Sequence, residues 1–157
     1  MRHALFLLIA VLVPASVPAQ ERLSRAQTEQ AAYALHEWLE AEHNDPVELS
    51  AVTKYGESVV PSLIAALDKG PSPARRERLR RALETEHGTL SGPKVPAKAD
   101  FVKHYTSNFE TQYRIRAAQA LAAIGGHEAR KAIEAAVGKA GREDLRAALQ
   151  LVLKDVK

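Results

Sequence analysis

Two stretches of this chain are near copies of one another, and that copying constrains the fold more than any other feature. Residues 55–70 read YGESVVPSLIAALDKG, and residues 124–140 read IGGHEARKAIEAAVGKA. With one glycine added to the second, Tyr55 and Gly56 fall on Ile124 and Gly125. Leu63 then meets Ile133, Ala65 and Ala66 meet Ala135 and Ala136, Leu67 meets Val137, and Lys69 meets Lys139. Each copy holds a helix end, a glycine turn, a second helix and a short basic link. The offset of 69 to 70 residues is twice a unit of about 35, a period typical of stacked helical hairpins. One hairpin cannot bury its own apolar stripe, so a copy must stack on it.

The rest of the sequence fits that scheme. It is rich in Ala, Leu, Glu, Arg and Lys, and no stretch alternates with period two, so helices are predicted throughout. The first covers 21–43, with Ala31, Leu35, Trp38, Leu39 and Glu42 at three-four spacing, and stops at HNDP. Asp45 and Pro46 then supply an N-cap and a first helical residue, and Glu48 completes a capping box. This short helix ends near Gly56. Ser58 caps a third helix that has Pro61 in its first turn and a stripe of Val60, Leu63, Ile64 and Leu67. Ser72 and Pro73 open a fourth that ends at Gly88. GTLSGPKVPAK, residues 88–98, has no periodicity and reads as an inserted loop. A helix is predicted over 99–106. Ser107 and Glu110 then form a second capping box for a helix reaching Ile124. The last two helices cover 127–139 and 142–155.

The N-terminus reads as a leader. Arg2 and His3 precede an apolar run from Ala4 to Val13, then Pro14, Ser16 and Pro18, with small residues Val17 and Ala19 before the cut. That is the pattern of a signal peptide. Ten apolar residues are too few for a membrane span, which needs about 20. Cleavage after Ala19 implies an exported product, periplasmic or secreted, with no transmembrane span left. The remaining 138 residues suit one domain: a capping helix at 20–45, a first repeat pair at 46–87, the loop at 88–98 and a second pair at 99–157. The chain has no cysteine, which excludes disulfides and thiolate sites. Its net charge of +3 is too small for a nucleic-acid binder's field. The expected fold class is all-α, a short α-solenoid of stacked antiparallel helical hairpins.

YRIRAAQALAAIGGHEARKAIEAAV, residues 113–137, resembles a HEAT repeat of the bacterial, phycobilin-lyase-like kind. Arg116, Ala117, Ala118, Ala120, Leu121, Ile124 and Gly125 carry the likeness. It extends in weaker form to residues 47–69 and is absent from 21–43. The aspartate that often follows the glycine in that family is replaced by Gly126 and His127, and by Glu57 in the earlier copy. Tetratricopeptide repeats have a similar period, but their tryptophan, leucine-glycine and tyrosine signature is missing. The resemblance implies an α-solenoid that binds other proteins. It also leaves open a cofactor- or chromophore-handling lyase.

Five arginines, Arg75, Arg76, Arg78, Arg80 and Arg81, lie within seven residues of the fourth helix. They form a candidate docking face for a partner protein with an acidic surface, or an anion- or lipid-binding face over 74–87. The bland alternative is a solvated face neutralised by Glu77 and Glu84 at helical spacing. Lys94, Lys98 and Lys103 border the loop and make a candidate rim. Phe101, Tyr105 and Phe109 stand at i, i+4 spacing, which favours the filling of a junction between repeat pairs over a role in binding. His36, Glu40 and His43 could share one face of the first helix. Their spacing is not that of the His-Glu-x-x-His zinc helix, and neither a metal nor a cofactor is expected. No nucleophile stands beside an acid–base pair in any motif, so the chain is expected to be non-catalytic. Weak self-association is a third reading, because a short helical stack leaves apolar ends.

Overall fold

The computed structural model describes residues 24–41 and 43–156. The expected leader at 1–19, the start of the first helix at 21–23 and Glu42 lie outside the described residues. Among the described residues the chain is all helical: α1 (Arg25–Glu40), α2 (Pro46–Thr53), a 3-10 turn (Gly56–Val59), α3 (Val60–Lys69), α4 (Pro73–His87), α5 (Lys98–Ile124), α6 (His127–Lys139) and α7 (Glu143–Lys154).

Local chemistry sets most of the boundaries. Ser24 and Gln27 open α1 with a reciprocal capping box: the Gln27 amide donates to Ser24 Oγ at 3.3 Å, and the Ser24 amide donates to Gln27 Oε1 at 2.9 Å. The helix stops at Glu40, three residues short of the expected His43. Asp45 Oδ1 accepts from the Val47 amide at 2.8 Å, with Pro46 first in the helix. Glu48 does not complete the expected box. Burial lowers the pKa of the Arg116 guanidinium on α5, and the Glu48 carboxylate partly opposes that. Ser58 does not cap α3 either: its hydroxyl donates to the Tyr55 carbonyl within the 3-10 turn, and Val59 takes the cap position without a side-chain bond. Ser72 caps α4 as expected, its Oγ accepting from the Arg75 amide at 3.2 Å. Gly56 and Gly125, the paired glycines of the two copies, both have positive φ, +54° and +82°. Only glycine takes that conformation at little cost, which is why each copy turns where it does.

The largest departure from expectation is α5. A break was predicted after Thr106, with Ser107 and Glu110 capping a new helix. The helix runs unbroken for 27 residues. The Ser107 carbonyl accepts from Thr111 Oγ1 at 3.0 Å within the helix, and the Ser107 hydroxyl is bound by Arg142. No glycine or proline falls between Lys98 and Ile124, so nothing stops the helix once it starts. The inserted loop accordingly closes at Ala97, one residue before its expected end.

This long helix is the common support of the molecule: α5 packs against each of the other six α-helices. The small residues Ala117, Ala118 and Ala120, with Leu121, are fully buried at its C-terminal end and let neighbours approach closely. Around them gather Trp38 and Leu39 of α1, Val52 of α2, Leu63 and Leu67 of α3, Ile133 of α6 and Leu149 of α7. Trp38, which belongs to no repeat, sits at 1% exposure and donates from Nε1 to the Arg116 carbonyl at 2.9 Å. In that way α1 is fastened to α5. Helix α4 contributes nothing to this core. With the N-terminal end of α5 it forms a hairpin arm around its own small nucleus, Leu83 and Phe101, both 6% exposed.

Candidate functional site: the groove between α4 and α5

The arm carries every candidate binding residue. On α4 the residues spaced by three and four, Pro73, Arg76, Glu77, Arg80 and Glu84, face Lys98, Ala99, Val102, Lys103, Thr106 and Glu110 of α5 across a groove of about 1020 Å³. The two helices run antiparallel, so Pro73 lies towards Glu110 and Glu84 towards Lys98.

The structure divides the basic residues into two kinds. Four of the five arginines are neutralised inside the fold. Arg75 pairs with Glu40 of α1 and lies over the Phe109 ring, 5.7 Å from its centroid. It therefore joins the arm to the body and is not free to dock a partner. Arg76 pairs with Glu110 at 3.6 Å. Arg80 is gripped by Glu77, at 2.8 and 2.9 Å, and by Glu84. Arg81 donates to Glu77 at 2.8 Å. The two guanidinium groups on Glu77, Arg80 first and then Arg81, hold its carboxyl down at about 2, and Glu77 in turn raises the Arg80 pKa. Such exposed i, i+3 and i, i+4 pairs add little stability, but they cancel the arginines' charge locally. The second kind is unneutralised: Arg78, Lys94, Lys98 and Lys103 are exposed and make no ion pair among the described residues. Of these, Lys98 and Lys103 line the groove.

On the other side of the arm the aromatic series divides as well. Phe101 is buried, with the His87 ring edge-on at 5.4 Å and Tyr105 at 4.6 Å. Tyr105 is half exposed. Phe109 sits between Arg75 and Tyr113, whose ring lies 6.0 Å away. Burial, reinforced by the Glu40 carboxylate, pushes the Tyr113 hydroxyl pKa up. The loop is tied down by His87, whose Nε2 is 2.9 Å from the Pro96 carbonyl.

The histidine cluster on α1 does not assemble a ligand set. His36 Nδ1 lies 3.1 Å from Glu40 Oε1, but Glu40 is committed to Arg75. Among the described residues no three His, Cys, Asp or Glu side chains come together. No helix among them is long and apolar enough to cross a membrane.

Sequence reasoning passed over two arginines, Arg114 and Arg142. Both face a second cavity where α3, α5, α6 and α7 meet. The signal was there in part: Glu110 and Arg114 are a natural i, i+4 pair, yet Glu110 turns to Arg76.

No family model, curated protein or solved structure matches the chain. Its own residues and geometry therefore carry the functional reading.

Proposed function

We propose that the chain is a short α-solenoid of the HEAT-like kind, exported and non-catalytic, that grips an acidic segment of a partner protein in the groove between α4 and α5. The solenoid reading is supported by the neighbours of the two sequence copies: α2 packs on α5, and α3 packs on α6, so corresponding helices lie side by side. The docking reading rests on one observation. The groove is lined by Ala99 and Val102 together with Lys98 and Lys103, the two lining cations that make no ion pair among the described residues. An amphipathic acidic segment satisfies both features, with an apolar face on Ala99 and Val102 and carboxylates on the lysines. A preformed groove spares the ordering entropy that a flexible site would lose on binding.

The test is capture of a partner on the immobilised chain, compared with a Lys94→Glu/Lys98→Glu/Lys103→Glu variant. Capture weakens as salt rises and is lost in the variant, whose substitutions touch no buried contact. Capture that is unchanged by the three substitutions overturns the reading. Arg75→Glu is a poor probe, because it sets two carboxylates against each other at Glu40 and harms the fold directly.

A further inference from the structure

The geometry points to a carboxylate-binding pocket beside the groove, at the meeting of α3, α5, α6 and α7, a site that goes beyond the docking reading above. The cavity has a volume of about 430 Å³, within the range of about 300–1,000 Å³ common for small-ligand sites. One wall is apolar: Leu67 of α3, Ala136 of α6, and Leu145 and Leu149 of α7. The rest of the lining carries three cations, Arg114, Lys139 and Arg142, with the carboxylates of Asp68 and Glu110, and the cations differ in how they are partnered. Lys139 is held by Asp68 at 2.8 Å, which lowers the Asp68 pKa. Arg142 is held by Asp144 at 2.6 Å. Arg114, half-buried on α5, makes no ion pair among the described residues, although the Asp68 carboxylate is near enough for the two charges to act on each other. Its side chain makes one hydrogen bond, from Nη1 to the Leu67 carbonyl at 3.3 Å.

Arg114 is also held in place. Its guanidinium meets Gly70 by the Nε–Nη2 edge, so close that a Cβ there would stand 3.2 Å from Nε and 3.3 Å from Nη2. Its natural helix partner Glu110, four residues earlier, is turned away to Arg76. A fixed planar guanidinium with spare N–H donors, next to an apolar wall, matches a carboxylate carried on an apolar body. Two sources present that chemistry: a small organic monocarboxylate, or the free C-terminus of a peptide ending in an apolar residue. Because Ser107 and Glu110 line both this pocket and the α4–α5 groove, a bound peptide could run from one into the other.

Calorimetric titration of the full chain tests the assignment. The probes are hexanoate and an N-acetylated tripeptide ending in leucine, each beside its uncharged amide. The carboxylates bind and their amides bind about tenfold more weakly or not at all; the tighter of the two carboxylates identifies the source. Arg114→Gln abolishes the binding. Because that change also removes the bond to Leu67, Ala136→Glu is a second variant that sets a tethered carboxylate before Arg114 and blocks the pocket. Melting temperatures establish which variants are folded. The proposal is overturned if neither carboxylate binds, if the amides bind equally well, or if a folded form of either variant binds like the parent. Lys94, Lys98 and Lys103 lie outside this pocket, so loss of the groove's partner and loss of carboxylate binding are separate results.

Discussion

At Gly70 the backbone and a side chain make the same demand. Its φ is +69°, and the Arg114 guanidinium lies against it. Gly70→Ala should cost about 1–3 kcal/mol, from the left-handed backbone and the displaced arginine together. Gly141→Ala is the control: a Cβ there meets nothing within 4 Å, so its effect stays within about 0.5 kcal/mol. Urea denaturation of the two variants measures the difference. Glu77 offers a second test on a single residue. Free glutamate titrates near 4.5, and the arginines lower Glu77 to about 2. A lowered carboxyl stabilises the fold above its unfolded pKa and loses that contribution as pH falls through its folded value. The window for Glu77 is thus pH 4.5 down to about 2. A carbon-detected NMR titration should find its midpoint near the lower end. A midpoint near 4.5 would mean that the arginines are loose and free to dock.

At the scale of elements, the sequence showed helix starts better than helix lengths. Ser72–Pro73 and Asp45–Pro46 act locally, and their caps form as written. Ser107–Glu110 has the same local form but lies inside a helix without breakers, and continuing the helix satisfies the backbone without a cap. Glu48 fails as a capping residue for another reason. Burial on α5 works against the charge of Arg116, 4% exposed, and the Glu48 carboxylate partly offsets it across the packing, an influence between distant residues that no local pattern reveals. The same scale separates the arm from the body. Leu83 and Phe101 are the two apolar side chains of the arm that are buried, while α5 beyond Tyr113 is clamped by neighbours on several sides. Regions with few buried contacts open first. Amides at 80–87 and 101–106 should therefore exchange with solvent at least about tenfold faster than those at 117–121. Equal protection would mean that the arm and body open as one unit.

Across the whole molecule, the all-helical character of the described residues was legible in the lack of period-two alternation, and the two matched glycines, Gly56 and Gly125, do turn the chain at positive φ. The candidate site was legible only as a list of charges. Helical spacing shows Glu77 and Glu84 as partners for Arg80 and Arg81, but nothing in it places Glu40 beside Arg75 or Glu110 beside Arg76, since those two glutamates come from other helices. Tertiary packing moves the emphasis from the arginines to Lys98 and Lys103, and brings Arg114 into view. The account then turns on where a partner sits. Photo-crosslinking decides it, with a reactive residue at Val102 in the groove or at Leu151, which is 63% exposed on α7. A partner adduct should form from position 102 and not from 151. An adduct from 151 with none from 102 would contradict the account.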